Sequence, residues 1–283
     1  MFVVPWRCLK TGLKISAVLS LAILVSFFQN CSKANFGASS AASASSGGDA
    51  NGLVHVPGSC HAQLLQATVP IKVLFVVDMS GSNFGEYFRA GTDPDRRVRG
   101  GSIQKFFDDY KAKSNFNWGF IGFRGSQALA LINNGDTGSG RFSASVSDMS
   151  AALSTFNGMF DSGLTPYKAA LSMATQIIQA DTLASSDTKY VVVFLSDGMP
   201  TDYPPGSAGD AEMTKDVSAL TSILPGRVSF NTVYYGEVDA SASGRLRDMS
   251  LAGGGEFLDT NNNPTGKSFY IADYINIPGV SCQ

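Results

Sequence analysis

The sequence predicts an α/β fold: a doubly wound, mostly parallel six-stranded sheet with helices on both faces. Three observations carry this expectation. Apolar runs such as "IKVLFVV" (71–77) and "KYVVVFLS" (189–196) are continuous rather than alternating, as in strands covered on both faces. Stretches of helical period separate them. Strand and helix then alternate from residue 70 onward, the order of a parallel sheet whose crossovers are helices.

In chain order, "IKVLFVV" is the first strand of the sheet and "FNWGFIGF" (116–123) the second. "QALALI" (127–132) follows a tight Arg124-Gly125-Ser126 turn and reads as an antiparallel edge strand. "KYVVVFLS", "RVSFNTVYYG" (227–236) and "GEFLD" (255–259) complete the six, while "SFYI" (268–271) stands between strand and loop. Helical spacing places Ile103, Phe106, Phe107 and Tyr110 on one face of 102–113. Residues 165–180 repeat Tyr167, Ala170, Leu171, Ala174, Ile177 and Ile178, with Thr165 read as N-cap and Pro166 as first helical residue. Shorter helices are expected over 210–223 and 243–252. The chain carries no internal repeat.

The first thirty residues read as a targeting segment. Arg7, Lys10 and Lys14 precede "ISAVLSLAILVSFF", an apolar run of 14 residues. That is short for a hydrocarbon core about 30 Å thick but falls within a signal h-region of about 7–15 residues. A retained anchor or a buried helix is the alternative. Cys31, directly after the run, resembles the lipidated cysteine of bacterial lipoproteins, although Gln29 and Asn30 stand where such signals carry small residues. Ser32 after it resembles the pattern that directs such proteins to the outer membrane. Residues 32–52, "SKANFGASSAASASSGGDANG", hold too little apolar surface to fold and would span roughly 25 Å as a coil. The expected organisation is a signal over 1–30, a lipidated Cys and tether over 31–59, and one domain over 60–283.

Formal net charge is −2, and removal of the three leader cations leaves about −5, so no basic surface fit for nucleic acid remains. Of four cysteines, Cys8 leaves with the signal and Cys31 takes the lipid. Cys60 and Cys282 then flank the domain and form the expected disulfide in an exported chain, free thiols being the alternative.

Ligands of open α/β sheets bind at the carboxyl ends of strands. Asp78 ends one buried run in "VVDMSGS", and Asp197 ends another in "FLSDGMPTD". Ser80 and Ser82 follow the first acid, and Thr165 opens a helix after "GL". Taken singly, these residues read as turn formers or caps. Together, Asp-x-Ser-x-Ser, then Gly-x-Thr-Pro, then Asp-Gly resemble the metal-ion-dependent adhesion site of von Willebrand factor A and integrin I domains. The resemblance covers about residues 68–275. It implies Mg²⁺ (Mn²⁺ or Ca²⁺ as alternatives) held by Asp78, Ser80, Ser82, Thr165 and Asp197, directly or through water. Such hard oxygen donors suit this ion, which keeps places for outside ligands. It also implies a protein partner offering a carboxylate to the metal.

Other motifs carry less. Arg96, Arg97 and Arg99 in "GTDPDRRVRGG" (91–101) offer a rim for an acidic ligand, with a solvated loop as the plainer reading. Asp93 and Asp95 lack calcium-loop spacing, and "GDTGSG" (135–140) lacks the Lys-Ser/Thr of a phosphate loop. The only histidines, His55 and His61, precede the first strand, so neither a Ser-His-Asp relay nor a His-ligated zinc site is expected. The expected role is therefore non-enzymatic: adhesion or recognition at the cell envelope, held to the membrane through lipid alone. A periplasm-facing assembly or scaffold factor is the rival.

Overall fold

All eight residues of Ile71–Asp78 (β1) are buried, as a central strand with helices on both sides requires. It pairs in parallel with Phe116–Arg124 (β2), Ile71 opposite Phe116 through Asp78 opposite Phe123. On its other side it pairs in parallel with Lys189–Ser196 (β4). Gln127–Ala130 (β3) adds antiparallel to β2, and Val228–Tyr234 (β5) and Gly254–Asp259 (β6) extend the far side in parallel. The order β3-β2-β1-β4-β5-β6 places the switch of winding direction between β1 and β4. The computed structural model describes residues 63–64, 69–85, 90–135, 137–262, 269–275, 277 and 280–281. All belong to one unit, Asp49–Gln283.

The period of two along β1 sorts the helices. Val73, Phe75 and Val77 face Arg99–Tyr110 (α1) and Val146–Gly158 (α2), joined there by Ile271, Ile275 and Ile277. Leu74 and Val76 face Tyr167–Gln179 (α3), Ser207–Ser222 (α4) and Ala240–Ala252 (α5). Aromatic rings lock the first layer: Phe106 meets Phe75 edge-on at 5.8 Å, and Phe107 meets Trp118 at 5.1 Å. Such pairs add about 0.5–1.5 kcal/mol each beyond the area they bury.

The six-strand expectation and the antiparallel edge are observed, with differences at the element ends. Helix α2 lies outside the sequence expectations, yet its cap is regular: the Ser145 hydroxyl accepts from the Asp148 amide at 3.3 Å. Thr165 is not an N-cap. α3 starts at Tyr167, its cap position is Pro166, and a free amide of its first turn (Ala169) donates instead to Asp202 at 3.1 Å. Phe269 and Tyr270 are buried outside any strand and lead into a 3₁₀ turn, Ile271–Asp273. A short antiparallel pair joins the two ends of the domain, Gln63 opposite Ser281 and Leu64 opposite Val280. Among the described residues no helix is long and apolar enough to cross a membrane. The leader, Cys31, the tether, Cys60 and Cys282 lie outside the described residues.

Candidate metal centre

β1 and β4 end side by side at the switch point, and their last residues build the site. Beyond Asp78 the chain turns at once. Asp78 Oδ1 accepts from the Ser80 amide at 2.8 Å, a turn closed by the acid's own side chain, and a short helical turn, Gly81–Phe84, follows. This brings the Ser80 and Ser82 hydroxyls within 3.0 Å of each other. Ser82 donates to Asp197 Oδ1 at 3.0 Å, so a continuous line of oxygens runs from buried Ser80 through exposed Ser82 to Asp197. Ser196, the last residue of β4, donates to the other oxygen of Asp78.

Thr165 arrives on the loop between α2 and α3. Gly163 is left-handed (φ +74°), which lets that loop fold down so that its carbonyl accepts from the Gly81 amide at 2.9 Å. Thr165 then exchanges two bonds with Thr201: its amide donates to the Thr201 hydroxyl at 3.1 Å, and the Thr201 amide donates to its carbonyl at 3.0 Å. Ser82, Thr165 and Asp197 line one open cleft of about 850 Å³. The Thr165 hydroxyl makes no hydrogen bond to the two acids or two serines; it shares their cleft only.

The arginines correct the rim expectation. Arg99 is fully buried and Arg96 is 7% exposed, and both guanidiniums are engaged in ion pairs inside the protein. Arg99 donates to Asp93 through Nε (2.9 Å), to Asp161 through Nη2 (2.8 Å) and to the backbone carbonyl of Asp78 through Nη1. Arg96 donates to the other oxygen of Asp161 at 2.6 Å and stacks 4.4 Å over Phe156. Asp93 also accepts from the Val98 and Arg99 amides, both at 3.0 Å, and so caps α1. The loop is folded inward because Asp161, from another segment, receives both guanidiniums while the loop's own Asp93 holds Arg99. Arg97 alone stays in solvent, 3.6 Å from Asp95.

Sequence reasoning missed Asn83, Thr92, Asp93, Asp161 and Ser196. Asn83 donates towards Asp78 at 3.4 Å and is itself held by the Tyr235 hydroxyl at 2.8 Å. Thr92 donates to Asp197 Oδ2. A hydroxyl one residue before the strand-ending Asp197 was a readable signal for Ser196; the pairing of Arg99 with Asp161 was not.

Electrostatically the site is short of positive charge. Asp78, Asp93, Asp161 and Asp197 are buried together, and Arg96 and Arg99 answer only two of the four. Burial, then the nearby Asp197, pushes the Asp78 carboxyl up to about 7, and burial raises Asp197 too. The imbalance of two charges is what one divalent cation cancels, and every donor is a hard oxygen. The residues present therefore fit Mg²⁺ or a similar ion. Among the described residues no three His, Cys, Asp or Glu side chains are grouped so as to hold an ion by themselves, and three of the five expected ligands are hydroxyls.

No family model matches this sequence, and no curated protein matches it. Solved structures do. The PilB minor pilin of Streptococcus sanguinis superposes with a TM-score of 0.50 at 14% identity, over 69% of this chain and 58% of that one. The pilus adhesin SpaC of Lactobacillus rhamnosus GG gives 0.50 at 16%, over 69% of this chain and 29% of that one. The SpRpn10 VWA domain gives 0.47 at 10%, over 71% and 99%. The chain thus spans about three fifths and three tenths of the two pilus proteins. At such identities the likeness is one of fold. What is shared is a doubly wound, mostly parallel six-stranded α/β sheet, the architecture expected of a von Willebrand factor A-like fold.

Two outcomes follow from the buried charges. Replacing Arg99 with Met leaves Asp93 and Asp161 short of their partner and is expected to destabilise the domain by about 3–5 kcal/mol, read by urea unfolding; a loss under 1 kcal/mol would mean that Arg99 does not hold the cluster. In chelator, stability should fall as pH rises. The folded Asp78 carboxyl keeps its proton up to about 7 whereas the unfolded one loses it near 3.8, so the unfolded state gains from deprotonation first. A melting temperature in chelator that is flat between pH 5 and pH 8 would contradict the uncompensated site.

Proposed function

We propose that this chain is a divalent-cation-dependent binding protein of the bacterial cell envelope, acting in adhesion or recognition. The observation that carries this reading is the pair of buried carboxylates at the switch point, Asp78 and Asp197, joined by a line of hydroxyls that runs from buried Ser80 to exposed Ser82. Ser80, Ser82 and Thr165 would hold the ion, with Asp78 and Asp197 acting directly or through water. The bound ion supplies an electrophilic position open to an anionic oxygen. The chain's own residues do the rest. Asp78, engaged by Ser80, Ser196 and Asn83, anchors the site from below. Ser82 and Asp197 stand at the cleft, where a partner's carboxylate can enter. Because three donors are neutral, an ion held here keeps charge to share with that carboxylate.

The surroundings agree with an adhesive role. Leu164, beside Thr165, and Val238 line the cleft and are 59% and 89% exposed, and a tilted Phe84–Phe160 pair, 4.8 Å between centroids, stays 50% and 59% exposed. Apolar surface left open around a charged centre is usual where another macromolecule docks. Two solved structures similar to this chain, each at a TM-score of 0.50, are pilus proteins, one of them described as an adhesin. The serines of the site donate to the two carboxylates that a bound cation would engage, so a non-enzymatic binding role fits best.

The rest of the chain suits envelope display. The leader over 1–30 ends at Cys31, which would take lipid, and residues 32–59 would tether the domain to the outer membrane. The pairing of Gln63 with Ser281 supports a Cys60–Cys282 bridge, since it draws segments next to both cysteines onto adjacent strands.

Calorimetry with Mg²⁺ and Mn²⁺ tests the site. The wild-type melting temperature should rise with metal, by an amount equivalent to about 2.7 kcal/mol at one hundred times the dissociation constant. Asp78→Ala should fold but lose the shift, and an equal shift in that variant would sink the assignment. Peptide mapping of protein isolated from the envelope, without reduction, tests the termini. The expected product begins at a lipid-modified Cys31 and carries one Cys60–Cys282 bridge; an unmodified Cys31 or two free thiols would refute the corresponding proposal.

A further inference from the structure

We propose that Thr92 is a positioning residue of this centre, holding Asp197 in the rotamer that receives the ion. The inference rests on the metal reading above and adds to it a residue outside the three motif segments. An Asp carboxylate turns about a soft terminal torsion, so one hydrogen bond leaves it free to swing. Asp197 has two, one on each oxygen: Ser82 donates to Oδ1 at 3.0 Å, and Thr92 donates to Oδ2. The two donors belong to different segments, and together they fix the plane of the carboxylate.

Thr92 is itself built into place. Its amide donates to the Ser82 carbonyl at 3.1 Å, and the next amide, Asp93, donates to the Asn83 carbonyl at 3.2 Å. The segment 91–93 thus lies along the short helical turn that carries Ser82. The approach is so close that a side chain at Gly91 would begin 2.1 Å from the Asn83 carbonyl oxygen and 2.3 Å from the Phe84 carbonyl carbon. Asp93 then binds Arg99, whose other nitrogens reach the Asp78 carbonyl and Asp161. Thr92 is therefore pinned between the hydroxyl row and the buried ion-pair cluster. Its hydroxyl transmits that rigidity to an acid delivered by another strand, 105 residues away in sequence. A partner of this kind, holding a ligand rather than touching the ion, commonly changes metal affinity by about 10–100-fold when removed.

Titration calorimetry of Mg²⁺ and Mn²⁺ into the purified chain tests this with three variants. Thr92→Val keeps the shape and removes the hydroxyl; affinity should fall about tenfold or more, with a melting temperature in chelator close to wild type. Thr92→Ala should match it. Thr92→Ser restores the hydroxyl and should bind within about twofold of wild type. Wild-type affinity in Thr92→Val would overturn the inference while leaving the metal centre standing. So would an equal loss in Thr92→Ser and Thr92→Val, which would assign the effect to the methyl group. A wild-type chain that takes up neither metal would overturn the centre, and this inference with it.

Discussion

One guanidinium, that of Arg99, sets the geometry of the whole carboxyl edge of the sheet. It is fully buried, and its nitrogens reach three separate chain segments: Asp93 on the loop before α1, Asp161 after α2, and the backbone at the end of β1. Taking such a charge out of water costs several kcal/mol, and attraction repays that only where geometry and hydrogen bonding are complete. Here they nearly are, with Asp93 and Asp161 as counter-charges and the guanidinium lying over the Phe156 and Tyr235 rings at 5.6 and 5.8 Å. The backbone shows what this arrangement demands. Arg96 lies in the left-handed region at φ 56°, where a non-glycine residue is strained. That turn lets both guanidiniums face the same acid, Asp161.

Above this rigid layer lies a site with the opposite character. The cluster directs its ion pairs to Asp93 and Asp161, so among the described residues Asp78 and Asp197 form no ion pair with a basic residue, and Asp197 feels Arg99 only at a distance. Both carboxyls are pushed up first by burial, and Asp78 further by the nearby Asp197. A site designed only for stability would add a third basic residue. One built to take an ion from outside would keep the deficit and supply hydroxyls, which solvate a cation without quenching it.

Much of this is legible in the sequence, and the boundary of legibility is physical. The continuous apolar runs at 71–77 and 189–196 force two central strands, and central strands end at the switch point, so hydropathy alone puts Asp78 and Asp197 on one edge. Spacing of two in Asp-x-Ser-x-Ser likewise follows from a turn that closes on its own first side chain. Helix α2 escapes notice because its apolar positions, Met149, Ala152, Leu153 and Phe156, are diluted by serines and small residues, although Ser145 and Asp148 mark its cap. Thr165 misleads because Thr-Pro is an ordinary helix opening, whereas here Pro166 takes the cap position and Asp202 the capping bond. Arg96 and Arg99 mislead for a deeper reason. A loop rich in Gly, Pro and charge is normally solvated, and only Asp161, more than sixty residues away, turns it inward.

The depth of the donors explains how such a centre can be both fixed and available. Asp78 and Ser80 are buried and tied to strands and cluster, Asp197 and Thr165 are nearly buried, and Ser82 reaches solvent. An ion entering from the cleft meets ordered oxygens below and water above. The open side of the site is the cleft, where Leu164 and Val238 stand exposed. On the proposed reading, a partner that covers those side chains also removes water from around the ion. Lower local polarity then strengthens attraction between the ion and an incoming carboxylate, because the same charges at the same distance interact more strongly when water is excluded. Apolar contact and metal coordination would thus reinforce each other, and neither alone would hold a partner against load.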